Sequence, residues 1–166
     1  MAQIVVRRAR PGDGEAMVRI HGEMAAYYGG LAPRHFQVPV LDGLAAELDA
    51  ELANVPATEL HLVAEDDAEI VGALAARLLE PEPGAERQIA PDLGATRLRI
   101  DYLATAETHR RQGIGARLVD AAEEWGRGQG ATVAETWTYR PSPLSMPFWT
   151  GRMAFEERSV NLRKRL

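Results

Sequence analysis

Two runs decide how this chain folds: Thr96-Arg97-Leu98-Arg99-Ile100-Asp101-Tyr102-Leu103-Ala104, and, a few residues on, Arg110-Arg111-Gln112-Gly113-Ile114-Gly115. In the first, Leu98, Ile100 and Tyr102 alternate with Arg97, Arg99, Asp101 and Leu103, the two-residue period of a strand with two unlike faces. From Ile114 the period changes. Leu118, Ala121, Ala122 and Trp125 fall on one face and Arg117, Asp120, Glu123, Glu124 and Arg127 on the other, which predicts an amphipathic helix that ends at Gly126, Gly128 and Gly130. The glycines between strand and helix have a chemical reading. Gly113 and Gly115 lack a Cβ, so backbone N–H groups can approach an anion at a helix N-terminus, and Arg110 and Arg111 add charge-assisted contacts to phosphate. Two other phosphate motifs do not fit: Leu118 stands where a dinucleotide fingerprint needs glycine, and no Gly-Lys-Ser/Thr follows for a P-loop.

Outward from this stretch the remaining elements follow. Gln3 to Ala9, with β-branched Ile4, Val5 and Val6, reads as a strand stopped by Pro11-Gly12. Asp13 is placed to cap a helix whose Met17, Ile20, Met24 and Tyr27 form one apolar stripe ending at Gly29-Gly30. Leu31 to Val40 is a loop, and a second helix starts at Asp42 with Leu44, Leu48 and Leu52 on one face. Leu60 to Ala64 and Ile70 to Leu79, joined by an acidic turn, predict an antiparallel hairpin. Glu80 to Ala95, rich in Pro and Gly, predicts a long exposed connection. After the glycine-terminated helix come a strand over Ala131 to Tyr139, proline breaks, a short helical piece around Phe148 to Met153, and a last strand over Phe155 to Leu162. The order β-α-α-β-β-β-α-β-α-β is that of an α/β (α+β) protein with a mixed sheet, flanking helices and at least one right-handed crossover.

Composition narrows the function. The 166 residues, 46% hydrophobic and 26% charged, predict a single domain, residues 1–166, with one sizeable core. A net charge of −5 argues against a general nucleic-acid binder. Without cysteine there is no disulfide, thiolate metal site or cysteine nucleophile. Neither a signal peptide nor a membrane-length apolar run is visible, so the expectation is a cytoplasmic protein with no membrane partner.

The glycine turn resembles the signature of the GNAT superfamily of N-acetyltransferases: Gln or Arg, two residues, Gly, one residue, then Gly or Ala. Arg110, Gly113 and Gly115 fit it. Resemblance extends to the Tyr102-Leu103-Ala104-Thr105 strand end, the Ile114 helix, the next strand and the closing Phe148-Trp149-Thr150-Gly151-Arg152-Met153-Ala154-Phe155. It implies a mostly antiparallel sheet and acetyl-CoA as cosubstrate, its pyrophosphate held by backbone N–H groups of Gln112, Gly113, Ile114 and Gly115. It also implies that the pantetheine arm runs beside Leu103 to Thr105, in a gap where this strand splays from the next. The backbone N–H of Leu103 would then polarise the acetyl carbonyl. A homodimer is the family's common state.

The resemblance leaves the acid–base groups open. An amine must lose a proton before attacking a thioester, so the site needs a base or a water chain leading to one. Asp101 is one candidate, with a salt bridge to Arg99 as its plain alternative. Glu135 is a second, sharing a face with Val133, Trp137 and Tyr139. His109 is a third, weighed against an ordinary surface position. Many family members present a tyrosine in the C-terminal helix to protonate the departing thiolate. Alignment puts Trp149 there, and an indole N–H is no practical acid. Ser142 and Ala154, where asparagine and glycine are frequent, also depart from the pattern. Tyr139 is a possible substitute, set against a packing role beside Pro141 and Trp137. The acceptor, an amine of a small molecule or peptide, is expected among Glu23, Tyr27, Tyr28 and His35, with the Glu80 to Ala95 connection as its cover. Two functions compete: direct acetyl transfer to a primary amine, and a non-catalytic acetyl-CoA-binding or regulatory module, the latter motivated by Trp149.

Overall fold

A computed structural model describes residues 4–164. Five strands form one sheet in chain order: β1 (Val5–Arg8), β2 (Glu59–Asp66), β3 (Glu69–Leu79), β4 (Arg97–Thr105) and β5 (Val133–Thr136). Neighbours are antiparallel except β4 and β5, which run parallel across the crossover helix α3 (Ile114–Gly128). Helices α1 (Gly14–Leu31) and α2 (Leu44–Leu52) separate β1 from β2. The architecture is the mixed α/β arrangement expected, with its crossover in the expected place.

The core is centred on β3. Ile70, Val71, Gly72, Ala73 and Leu74 are buried without a break, so both faces of the strand are covered. Helices α1 and α3 both pack on β3 and β4, and α2 packs on α1. Close approach of α3 depends on a missing side chain below it: a Cβ on Gly72 would lie 2.8 Å from Ile114 Cγ2 and 3.1 Å from Leu118 Cδ1.

Several local expectations are corrected. Asp13 occupies the N-cap position of α1, but its side chain makes no capping hydrogen bond. Its carboxylate binds the Arg7 guanidinium (2.6 and 2.9 Å) and accepts the Arg10 N–H (2.8 Å), while Asp49 of α2 accepts the N–H groups of Gly12 and Gly14, each at 2.9 Å. A charged partner on β1, six residues back in the chain, outcompeted the local cap. The Glu80 to Ala95 connection forms two 3₁₀ turns, Ala85–Arg87 and Pro91–Gly94. It is pinned where the buried Arg97 donates to Glu82 (3.2 Å) and to the Asp92 carbonyl (3.3 Å). The start of β4 at Arg97 is therefore covered, and no residue of the connection lines the cleft described below. The strand expected over Phe155 to Leu162 is absent, and the short helical piece is a π-helical turn, Pro147–Arg152. Phe155 has opposite parity to Val160 and Leu162, and Glu156, Glu157 and Arg158 lie exposed between them, so no single strand face could be apolar. Gln3, expected to begin β1, lies outside the described residues. No described helix is long and apolar enough to cross a membrane.

Candidate active site

Parallel pairing of β4 with β5 covers only Arg97 to Ile100 against Val133 to Thr136. At its end the Thr136 hydroxyl donates to the Ile100 carbonyl at 2.9 Å, taking an acceptor on which a continued ladder could build. Register against β3 also shifts here: Ala76 faces Ile100 and Ala75 faces Tyr102, so Asp101 is a bulge residue without a partner on β3. Beyond this point the two strands part. Leu103 and Thr105 on one side and Trp137 and Tyr139 on the other line a cleft of about 1250 Å³.

One end of the cleft is made by the turn before α3. Arg111 (φ 63°) and Gly113 (φ 80°) are both left-handed, reversing the chain twice within three residues. The first bond of the helix runs from the Arg117 N–H to the Gly113 carbonyl at 3.1 Å, and no side chain caps this end. The N–H groups of Ile114, Gly115 and Ala116 therefore have no intrahelical acceptor, and all three residues line the cleft. Arg110 lies over the Tyr27 ring (5.4 Å to the centroid), and Arg111 is exposed at the rim. A diphosphate fits this donor set: several bare amides, the positive end of a helix of 15 residues and two guanidinium groups. Gln112 is exposed and its side chain turns back to the Thr108 carbonyl at 3.4 Å, so only its backbone is available to such a ligand.

The candidate acid–base groups separate clearly in space. Asp101 lines the cleft and is paired with Arg77 of β3 (3.1 Å), not with the expected Arg99. Arg99 instead binds Glu135 through Nε (2.8 Å) and Nη2 (2.5 Å), because the two residues are directly opposite in the β4–β5 register. Glu135 also lies 3.9 Å from Arg97 and is not part of the cleft wall. His109 belongs to the wall: Nδ1 is 2.8 Å from the Thr108 hydroxyl and Nε2 is 3.5 Å from Asp66. Tyr139 lines the cleft with its ring edge-on to Phe36 (5.0 Å) and tilted against His35 (6.1 Å), not against Trp137. Trp149 is buried, 7% exposed, between the rings of Phe148 (5.0 Å) and Phe155 (5.1 Å). It also lines the cleft, and it packs on Phe148, whose ring lies 3.4 Å from the Cβ position of Gly115.

Of the expected acceptor residues, Tyr27 and Tyr28 line the cleft and Glu23 and His35 do not. Glu23 accepts the Glu107 N–H at 2.8 Å and pairs with Arg19 at 3.1 Å. Two features escape sequence reasoning. Tyr102 lines the cleft, but its hydroxyl is buried without a partner, and burial followed by the nearby Glu23 charge pushes its ionisation upward. Ser142 and Ser145, in a proline-broken loop, join Tyr27 and Tyr28 across 115 and 117 residues of sequence. No spacing rule links positions so distant.

The comparisons with known proteins agree with this geometry. Residues 19–155 match the model of the acetyltransferase (GNAT) family. No curated protein matches the chain significantly. Among solved structures, a mutant of the BH1408 protein from Bacillus halodurans superposes with a TM-score of 0.83 at 18% identity, covering 98% of this chain and 99% of that one. A transcriptional regulator from Bacillus halodurans C-125 gives 0.75 at 22% identity over 99% and 100%. An aminoglycoside acetyltransferase from an uncultured soil metagenomic sample, in complex with sisomicin, gives 0.67 at 19% identity over 98% and 96%. At such identities these structures share the fold alone. With a glycine turn at an uncapped helix, a cleft between parting parallel strands and a family match over most of its length, the chain belongs to the GNAT family of acetyltransferases.

Proposed function

We propose that this protein transfers an acetyl group from acetyl-CoA directly to a primary amine of a small molecule or peptide. The observation that carries this reading is the row of unpartnered amides at Ile114, Gly115 and Ala116, flanked by Arg110 and Arg111 and opening into the gap between β4 and β5. When bound, the cosubstrate supplies an activated acyl thioester. The chain's residues do the rest. Backbone amides from Gln112 to Gly115 hold the diphosphate, and Leu103 and Thr105 border the path of the pantetheine arm. The Leu103 N–H is the donor for the acyl oxygen, and Asp101, at the bulge where the strands part, receives the proton of the amine. Arg77 lies beside Asp101 at 3.1 Å and orients its carboxylate at the bulge.

The lining also bears on the acceptor. Among the described residues Asp101 is the only carboxylate in the cleft wall and is already paired, whereas Tyr28, Phe36, Trp137 and Tyr139 line the same space. Such a wall favours one amine on an apolar or aromatic body over a polycation such as the sisomicin of the metagenomic relative.

Calorimetry with coenzyme A, followed by an amine panel read by product mass, tests the reading. Binding with acetylated product supports it, and binding without turnover on any amine would favour a non-catalytic acetyl-CoA module. The Asp101→Asn variant should lose about 10²-fold or more in turnover while keeping its cofactor affinity. An unchanged pH–rate profile in that variant would move the base elsewhere.

A further inference from the structure

Trp137 belongs to the cleft wall, yet it is 62% exposed. Its place follows from strand register. Ile100 and Thr136 form the last rung of the β4–β5 ladder, tied by the Thr136 hydroxyl at 2.9 Å from the Ile100 carbonyl. The next residue is Asp101 on one strand and Trp137 on the other, so the proposed base and the indole begin the two sides of the fork. The ring is braced from one side. The Arg99 guanidinium lies over it, 5.9 Å from the centroid, and Glu135 holds that guanidinium through Nε (2.8 Å) and Nη2 (2.5 Å). Neither Arg99 nor Glu135 lines the cleft, so the face they cover is turned away from it. An aromatic surface left in water costs free energy that a stacked ligand recovers.

We propose that Trp137 is the platform that selects the acceptor, and that the acceptor is a primary amine carried by a flat, uncharged ring; this rests on the acetyl-transfer reading above. Neighbouring strands lie about 4.8 Å apart at a paired rung, and the gap widens beyond it. A ring joined to its nitrogen by two carbons has the reach to lie on the indole while the nitrogen meets Asp101. Arg99 decides which ring is accepted. Its cation draws the π-electrons of the indole to the covered face, so the cleft side offers stacking and little attraction for a second cation. A neutral ring is therefore preferred over a cationic one of the same shape. Arg99 and Glu135 are positioning residues, acting on the acceptor only through Trp137.

The test compares three amines with the same two-carbon arm: phenethylamine, cyclohexylethylamine, which is apolar but not flat, and N-methylated aminoethylpyridinium, which is flat but cationic. At saturating acetyl-CoA, kcat/KM per free amine should be about tenfold higher for phenethylamine than for either of the others. Trp137→Ala should raise KM for phenethylamine about tenfold and erase its advantage over cyclohexylethylamine, with kcat, coenzyme A affinity and Tm unaltered, whereas Trp137→Phe should keep most of that advantage. Arg99→Gln should shift selectivity toward the pyridinium amine by about two- to fivefold. Equal use of flat and non-flat amines by the unaltered protein, or a Trp137→Ala loss that falls on all three amines alike or on kcat, would overturn the inference while leaving acetyl transfer standing. Unaltered selectivity in Arg99→Gln would overturn the part assigned to Arg99. Failure to bind coenzyme A, or to acetylate any amine at all, would instead overturn the proposed function, and this inference with it.

Discussion

Placing an alanine at Gly72 should damage the cofactor end of the cleft from beneath, through a residue that touches no ligand. A Cβ there would meet Ile114 Cγ2 at 2.8 Å and Leu118 Cδ1 at 3.1 Å. Carbon atoms rest at about 3.5 to 4.0 Å, so the first turn of α3 must lift by about 1 Å. Ile114 cannot swing aside, since its Cγ2 is fixed by a β-branched χ1. Overpacking of this kind costs about 1–3 kcal/mol, and for a domain of this size about 2 kcal/mol lowers Tm by roughly 4–8 °C. The lifted turn carries the bare amides of Ile114, Gly115 and Ala116, so coenzyme A affinity should fall about tenfold or more. Thermal unfolding and calorimetry measure the two effects, and a double-mutant cycle separates the mechanism. Ile114→Ala removes the offending methyl group, so Gly72→Ala should cost about 1 kcal/mol less in that background. Additive behaviour, or a Gly72→Ala protein with unaltered Tm and affinity, would show that α3 is not seated on the sheet by that missing side chain.

Three further outcomes follow from particular contacts. Gly113→Asp should weaken coenzyme A binding about 100-fold, as it puts a carboxylate beside the phosphate amides and a Cβ on a residue at φ 80°; calorimetry on folded protein checks it. Tyr102→Phe should raise stability by about 1 kcal/mol in denaturant titration, because it deletes a buried hydroxyl that bonds to nothing; a loss would reveal a partner in solution. At the other edge of the sheet, burial acting alone would raise the Asp13 carboxyl. The Arg7 guanidinium and the Arg10 N–H hold it below the usual carboxylate range, and hydrogen bonding to Arg7 likewise lowers Glu65. Lowered carboxylate ionisation stabilises the fold above about pH 4 and is lost as pH falls below that value. Arg7→Met should therefore lower Tm at neutral pH, by the equivalent of about 1–2 kcal/mol for the Asp13 pair, and flatten the acid limb of a Tm-against-pH curve.

Local patterns carried much of this fold. The alternation from Leu98 to Tyr102, the stripe of α3 and the glycine turn between them are properties of neighbouring residues, and short-range sterics and periodicity are enough to read them. The hairpin of β2 and β3 was legible for the same reason. Expectations that rested on pairing between distant residues fared differently. Glu135 stood on a plausible face, but its partner was set by register against Arg99. Asp101 found Arg77 through a bulge that no alternation announces. Asp13 had the residue type of a helix cap, but Arg7 and Asp49 took over the bonds concerned.

The amino-acid order by itself thus determined the element order as far as β5, the phosphate-type turn and the membership they point to, because each depends on backbone freedom and apolar spacing within a few residues. The three-dimensional packing alone decided which carboxylate lines the cleft and that two tyrosines of α1 meet two serines of the 142–145 turn. Those outcomes depend on strand register and on side chains more than a hundred residues apart, and no local rule encodes either.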